Sequence, residues 1–359
     1  MFQAYNKKVQ PLPLAVKSLQ AFILSILLSV TGFSQVFVKS TLKANREKMV
    51  QNLLQHSIND NLSKTLTDST EADWQSAFTA LEFLQYQSPW VTERIDQACE
   101  ELGTRSIPFE CALLQLLHGN YPNRYYAQVR SLLSQTTDVK VFAMSASYIL
   151  KTPLGATDIP FLIEETNQIS SQNQNNPVLE QLLFDINTYL QPYAIPNITG
   201  LFKPYYLPGQ VLVLSFQRKN RDFPGLVLVR DTNGNVIRRP DKQYFSLPQL
   251  ARSSNNMPGY ISNGNTPEGI FRMQGTDVSR NGFIGPTENV QLTMPFEKTP
   301  AHFYADSTKK DTTWDLNDYR NLIAEGLTDY YPMYQSYYAG KSGRTEIIIH
   351  GTTINPSYY

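Results

Sequence analysis

From about residue 40 to 192, apolar residues recur at spacings of three and four. Trp74, Ala77, Phe78, Leu81 and Leu84 form one such stripe, and Val91, Ile95, Ala98, Cys99 and Leu102 form another. That period places each set on one face of a helix and predicts a packed core beneath it. Further helices are expected over 108–118, 123–135, 138–151, 158–168 and 177–190, with Pro108, Pro160 and Pro177 near their starts and Gly119 and Gly155 as punctuation. Short helices joined by tight turns stack as helical hairpins, so this region reads as an all-α, solenoid-like unit. The polar run Asn167–Asn176 offers little to bury and predicts an exposed connector.

After Pro192 the helical stripes give way to Pro, Gly, Tyr and short apolar alternations, which marks a domain boundary. Gln210–Phe216 and Gly225–Arg230 read as strands, and Asp231-Thr-Asn-Gly-Asn235 has the turn chemistry to begin a hairpin with Val236 and Ile237. Glu346–His350 is β-branched and short, as a buried strand would be. Between 295 and 340 lies an insertion rich in aromatics (Trp314, Tyr319, Tyr330, Tyr331, Tyr334, Tyr337, Tyr338), with a helix expected over 316–326. The expectation is therefore an α+β chain of two domains: a helical repeat-like unit at 36–195 and a mostly-β unit at 200–359. A length of 359 residues accommodates two cores.

The first 35 residues carry Lys7, Lys8 and Lys17 with no acid, then the apolar run Ala21–Val30, then Gly32-Phe33-Ser34. A basic start, a short apolar middle and a small-x-small site predict a secretory signal peptide cleaved near Ser34. The product would be exported to the periplasm or cell wall without a transmembrane anchor. Removing three lysines turns 31 basic against 31 acidic residues into 28 against 31. With only 17% charged residues and no basic block, the chain has no surface for neutralising phosphates, which argues against nucleic acid. The two cysteines, Cys99 and Cys111, stand twelve apart. In an exported chain they read either as a local disulfide or as two buried thiols, since no nearby His or Cys completes a metal set.

Two motifs carry chemistry. The first is Thr266-Pro267-Glu268-Gly269-Ile270-Phe271, preceded by Tyr260-Ile-Ser-Asn-Gly264; the second is Ile349-His350-Gly351-Thr352. Together with the strand, hairpin and Asn-Gly turn before them, they resemble the catalytic domain of L,D-transpeptidases, the YkuD-like enzymes that cross-link peptidoglycan. In that family a strand leads to T-P-x-G-x-F, a variable insertion follows, and I-H-G-T precedes a motif of the S-x-G-C-x-R type. The resemblance covers roughly residues 205–355. The helical region is loosely HEAT-like, with Asp138–Lys151 similar to the first helix of such a hairpin, although no strict period holds.

The resemblance implies a reaction in which a cysteine thiolate attacks a stem-peptide carbonyl, a thioester forms, and an amine from a second stem resolves it. His350 would be the general base, a task suited to an imidazole. Thr266, Pro267, Gly269, Phe271, Gly351 and Thr352 would lie along the peptidoglycan stem peptide. Gly351 would admit a close backbone approach, and Thr352 would orient the imidazole or the peptide. No cofactor is needed, and no metal set is visible.

One departure is severe: no cysteine follows His350, and Cys99 and Cys111 precede the whole β region. Three explanations stay open: a piece of a longer product, an inactive truncation, or a domain turned into a binding module. The expected function is an L,D-transpeptidase-like protein without its own nucleophile. The alternative is a non-catalytic, exported cell-wall-binding or scaffold protein whose helical hairpins engage a wall protein. His56, His118 and His302 are isolated. Asp306, Asp311, Asp315 and Asp318 lack the spacing of a calcium loop and read as a solvated face. The tyrosines at 330–338 could line a groove for glycan or peptide, or form the core and rim of the insertion.

Overall fold

The computed structural model describes residues 42–279, 287–310 and 312–351. The signal-like segment, Asp311 and Thr352 lie outside them. Among the described residues no helix is long and apolar enough to cross a membrane.

Among the described residues of the first half there are eight helices: α1 (Lys43–Asn52, continuing as a π-helix through Leu53–Asp60), α2 (Glu71–Leu84), α3 (Pro89–Glu100), α4 (Ile107–Asn120), α5 (Tyr126–Gln135), α6 (Val139–Lys151), α7 (Gly155–Gln172) and α8 (Pro177–Leu190). Side-chain oxygens start several of them: Ser88 accepts from the Val91 amide, Asp138 from Val141 and Asn176 from Val178. Proline in the first turn of α3, α4 and α8 sits where a missing N–H is harmless.

The expected loop at 167–176 is corrected in its first half. Helix α7 runs on to Gln172 because Leu162, Thr166 and Ile169, spaced four and three apart, are all buried and carry the inward face one turn further. Pro160 consequently lies inside α7 rather than at its start.

Both predicted stripes face inward. Trp74, Ala77, Phe78 and Leu81 are buried, as are Val91, Ile95, Ala98 and Cys99, while Leu84 and Leu102 pack at the margin. Helix α4 is central, touching α2 on one side and α6 on the other. The same core takes in Met257, Tyr260 and Ile261 from far along the chain, so the helical region and the loop before the Thr-Pro motif share one interior.

The described residues of the second half form two small antiparallel sheets. The first is β1 (Leu212–Phe216), β2 (Gly225–Arg230) and β3 (Ser246–Gln249), in that order; the second is β4 (Arg272–Val278), β5 (Glu288–Thr293) and β6 (Ile347–His350), also in order. The predicted turn at Asp231–Asn235 forms, with the Asp231 carboxylate accepting from the Asn233 and Asn235 amides and Arg230 bridging to Val236. Strand β6 is present but pairs with β5 alone. Of its residues only Ile347 is buried, which corrects the expectation of a buried strand.

The insertion builds its own core. Short helices α9 (Pro300–Tyr304), α10 (Leu316–Arg320) and α11 (Gln335–Lys341) surround Phe303, Tyr319, Ile323, Leu327 and Tyr337. Helix α10 ends at Arg320, six residues short of the predicted limit at Gly326, and turns carry Ile323 and Leu327 inward instead. Trp314 stacks on Phe296 at 4.9 Å between centroids.

Two buried arginines organise irregular chain. Arg230, fully buried, donates to the carbonyl oxygens of Leu201, Lys203, Tyr206 and Leu207. Arg344 donates to those of Gly259, Ile261, Gly264 and Asn265, and burial without a carboxylate lowers its guanidinium to about 10. A planar fork with five donors can satisfy four carbonyls at once. Loops without a ladder thereby keep their backbone groups paired.

Candidate functional site

His350 ends β6, with its ring exposed. Its Nδ1 lies 2.9 Å from the Gly351 carbonyl oxygen, and a carbonyl only accepts. Nδ1 therefore carries a proton, which leaves Nε2 as the nitrogen that can accept one whenever the ring is neutral. Thr287 Oγ1 donates to the same carbonyl at 3.0 Å, which fixes the turn. Across the strands His350 faces Asn289, which faces Asp277. Asn289 is buried, and its Oδ1 has no hydrogen-bond partner. Among the described residues the nearest atoms to a Cβ added at Gly351 are those of Thr287, at 3.5 Å or more, which is ordinary contact.

The Thr-Pro motif lies elsewhere. Phe271 leads into Arg272, which is paired with Thr293, whereas His350 is paired with Asn289, four residues further along β5. At ~3.3 Å per residue the two positions are about 13 Å apart along the sheet. The turn and the imidazole occupy opposite ends of it. Thr266, Pro267, Gly269 and Phe271 therefore stand toward one end of the sheet and His350 at the other.

What the motif does instead is hold the insertion. The Ile270 amide donates to the Tyr319 hydroxyl at 2.8 Å, and that hydroxyl donates to the Met333 carbonyl. Ser336 donates from its amide to Glu268 O and from Oγ to Ile270 O, while the Glu268 amide reaches Gln335 Oε1. Gly269 has φ +136°, and a Cβ there would stand 2.3 Å from Ser336 Oγ and 2.7 Å from the Tyr319 oxygen. Only glycine fits. Phe271 packs with Met294, Ala339 and Ile347, Pro267 is buried, and the Thr266 amide donates to Ala251 O.

Cys99 and Cys111 are free, buried thiols with no bond between them. They face different surroundings: Cys99 is near Asp96 and Arg124, and Cys111 is near Asp138 and Lys140. Burial raises both thiols, Cys111 to about 11, so neither forms thiolate readily.

A second concentration of chemistry lies where α8, the 217–224 loop, the Thr-Pro turn and the insertion meet. Glu268 Oε1 is 3.3 Å from Arg221 Nη2. Burial raises the Glu268 carboxyl, with Arg221 opposing, and lowers the Arg221 guanidinium. Tyr193 and Tyr330 close over the pair with ring centroids 5.2 Å apart. Phe184 stacks on Tyr331 at 4.0 Å, and Gln181 donates to the Tyr331 hydroxyl. Asp185 of α8 is raised to about 7 by desolvation, with a hydrogen bond from Tyr260 and then Lys219 opposing. The Tyr260 hydroxyl lies against Asp185 and Ser147. None of Asp185, Arg221, Glu268 or Tyr193 was singled out from the sequence as a site residue. The available signal was Glu268, at the variable place of Thr-Pro-x-Gly.

Of the four acidic positions considered for calcium, Asp311 lies outside the described residues and the other three make contacts within the chain. Asp306 and Asp315 cap short helical turns, and Asp318 pairs with Lys309 at 2.6 Å. Among the described residues no group of His, Cys, Asp and Glu is arranged to hold a metal. Compared with family models, curated proteins and solved structures, the chain has no match in any of the three.

Proposed function

We propose that this chain handles peptidoglycan stem peptides in the manner of the L,D-transpeptidases, with His350 as the proton acceptor of a cysteine acyl transfer. The observation that carries the reading is the His350 ring: Nδ1–H is committed to the Gly351 carbonyl, and Nε2 is left basic on an exposed strand end. That is the tautomer a general base needs. In the reaction a thiol gives its proton to Nε2, and the thiolate adds to the stem carbonyl. The departing amine takes the proton, and a second amine then cleaves the thioester, regenerating the thiol. Cys99 and Cys111 are unsuited to be that thiol, because both are buried in the helical core. The proton-transfer half is what His350 would supply. Export to the periplasm or wall, and a wall protein as partner of the helical region, belong to the same proposal. No cofactor enters it.

A second reading, a non-catalytic wall-binding scaffold, is favoured by the distance between the Thr-Pro turn and His350. Incubating the purified chain with tetrapeptide-stem muropeptides tests both. Saturable binding that shifts the His350 ring resonances, without cross-linked product, supports the first reading. Binding that leaves those resonances unmoved supports the scaffold, and absence of binding removes both.

A further inference from the structure

We infer that the free edge of β1 is a dimerisation surface, on which a second copy of this chain pairs its own β1 antiparallel about Val213 and joins the two three-stranded sheets into one. Strand β1 is bonded to β2 alone. The Ile237 amide donates to the Val229 carbonyl oxygen from the side of β2 away from β1, so Leu226, Leu228 and Arg230 turn their backbone groups toward β1. Their partners Phe216, Leu214 and Leu212 face back, which leaves the N–H and C=O groups of Val211, Val213 and Ser215 pointing outward. Among the described residues no hydrogen bond reaches those outward groups, and Val211 is 46% exposed. The sheet also lacks a core of its own: no residue of β1, β2 or β3 belongs to any of the three buried apolar clusters among the described residues. So thin a sheet gains from every strand added to it.

The other edges of the two sheets carry features that discourage pairing. Strand β3 contains Pro248, and its Ser246 carbonyl accepts from Arg239; β4 shifts register between Met273 and Gly275 and carries Arg272 and Asp277; β6 is only four residues long and follows Glu346. From Gln210 to Phe216 the chain has no charge and no proline, and β1 pairs with β2 without a register shift. An edge so unprotected invites another strand.

A second copy fits it because the run is complementary to itself. Pairing about Val213 sets Val213 on its counterpart, Leu212 on Leu214 and Val211 on Ser215, and the outward backbone groups meet one another. On one face Val229 and Val213 then continue into Val213 and Val229 of the second copy, a row of β-branched side chains across the axis. Arg218 and Lys219, the first charges after the strand, fall at opposite ends of the pairing, so like charges do not meet. The contact is isologous and closes at two, because the joined sheet ends on each side at a β3 edge with its Pro248.

The test is sedimentation of the full chain at rising concentration. A monomer–dimer equilibrium is expected. Val213→Lys sets two ammonium groups together at the axis and should raise the dissociation constant by about tenfold or more. Association through any other part of the chain would survive that substitution. Val213→Cys, which adds no charge, should give a disulfide-linked dimer under mild oxidation. Ser215→Cys should not, since its counterpart would stand about 13 Å away along the strand. Circular dichroism of each variant accompanies the measurements, and the cysteine pair decides the matter if the lysine variant does not fold. A native chain that stays monomeric, an association unchanged by Val213→Lys in a folded variant, or Val213→Cys cross-linking no more than Ser215→Cys would each overturn the inference. Neither His350 nor muropeptides enter these measurements, so the inference stands or falls apart from the transpeptidase-like reading.

Discussion

His118 Nδ1 lies 2.7 Å from the carbonyl oxygen of Asn255, joining two residues 137 positions apart. The bond pins the loop before the Thr-Pro turn to helix α4, and because a carbonyl accepts, Nδ1 carries a proton. Burial, helped by Lys151 and Arg252, lowers the ring to about 3. An unfolded histidine takes a proton near 6.5, so the contribution of His118 to stability is complete above that pH and is lost as pH falls toward 3. Glu82 faces the same loop through Ser254 and Asn255 and is raised by burial, so its contribution runs the opposite way, lost as pH rises above the ordinary carboxylate range. Urea titrations between pH 7 and 4 should show stability falling by a slope approaching ~1.4 kcal/mol per pH unit. His118→Gln should flatten that slope and Glu82→Gln should steepen it. An unchanged slope in His118→Gln would assign the acid sensitivity elsewhere.

Arg344 should be the costliest single side chain outside the helical core. Its replacement by Met orphans four carbonyls of the 259–265 loop. The expected loss is on the order of 3 kcal/mol or more. Lysine keeps the charge but presents its donors from one point, so Arg344→Lys should recover less than half of it. Denaturation midpoints of the two variants decide this, and a fully stable Arg344→Lys would contradict the fork argument.

The helices were legible because their apolar positions repeat, and stripes such as Trp74–Leu81 need no partner to be recognised. Turn chemistry likewise exposed the hairpin at Asp231–Asn235. Residues 251–265 gave no such signal: their place in the helical core depends on His118, Glu82 and Arg344, which are distant in sequence and reach backbone or polar groups rather than apolar stripes. At the candidate site His350 was legible from the β-branched run before it. How far the Thr-Pro turn stands from it was not legible, because that is set by the pairing register across β5. Asn289, Arg221 and Asp185 sit in stretches without motif, and their roles come from what surrounds them in space.

Gly269→Ala tests whether the Thr-Pro motif secures the insertion. A methyl group there collides with Ser336 and Tyr319 at a backbone angle that L-residues avoid. A loss on the order of 3 kcal/mol is expected. Tyr319→Phe should cost less, about 1–2 kcal/mol, since it removes one hydroxyl and leaves the glycine conformation intact. Hydrogen exchange should then show faster opening of residues 330–340 in both variants, and exchange unaffected there would mean the turn is not the clasp.

Asn289 sits opposite His350 with a buried oxygen that nothing satisfies, a state that costs roughly 1–3 kcal/mol. Among the described residues that cost is not offset by any contact of the Oδ1 atom, which makes its bearing on His350 testable. Asn289→Leu, with the same number of side-chain heavy atoms and no polar group, should therefore raise the melting temperature, by roughly 1–2 °C for each ~1 kcal/mol gained in a chain of this size. The same variant should lose the shift of the His350 resonances on muropeptide addition. A stabilised variant whose His350 still responds would leave Asn289 without a part in the site. A destabilised one would mean that the amide is satisfied in solution, and the pairing of Asn289 with His350 would then be packing alone.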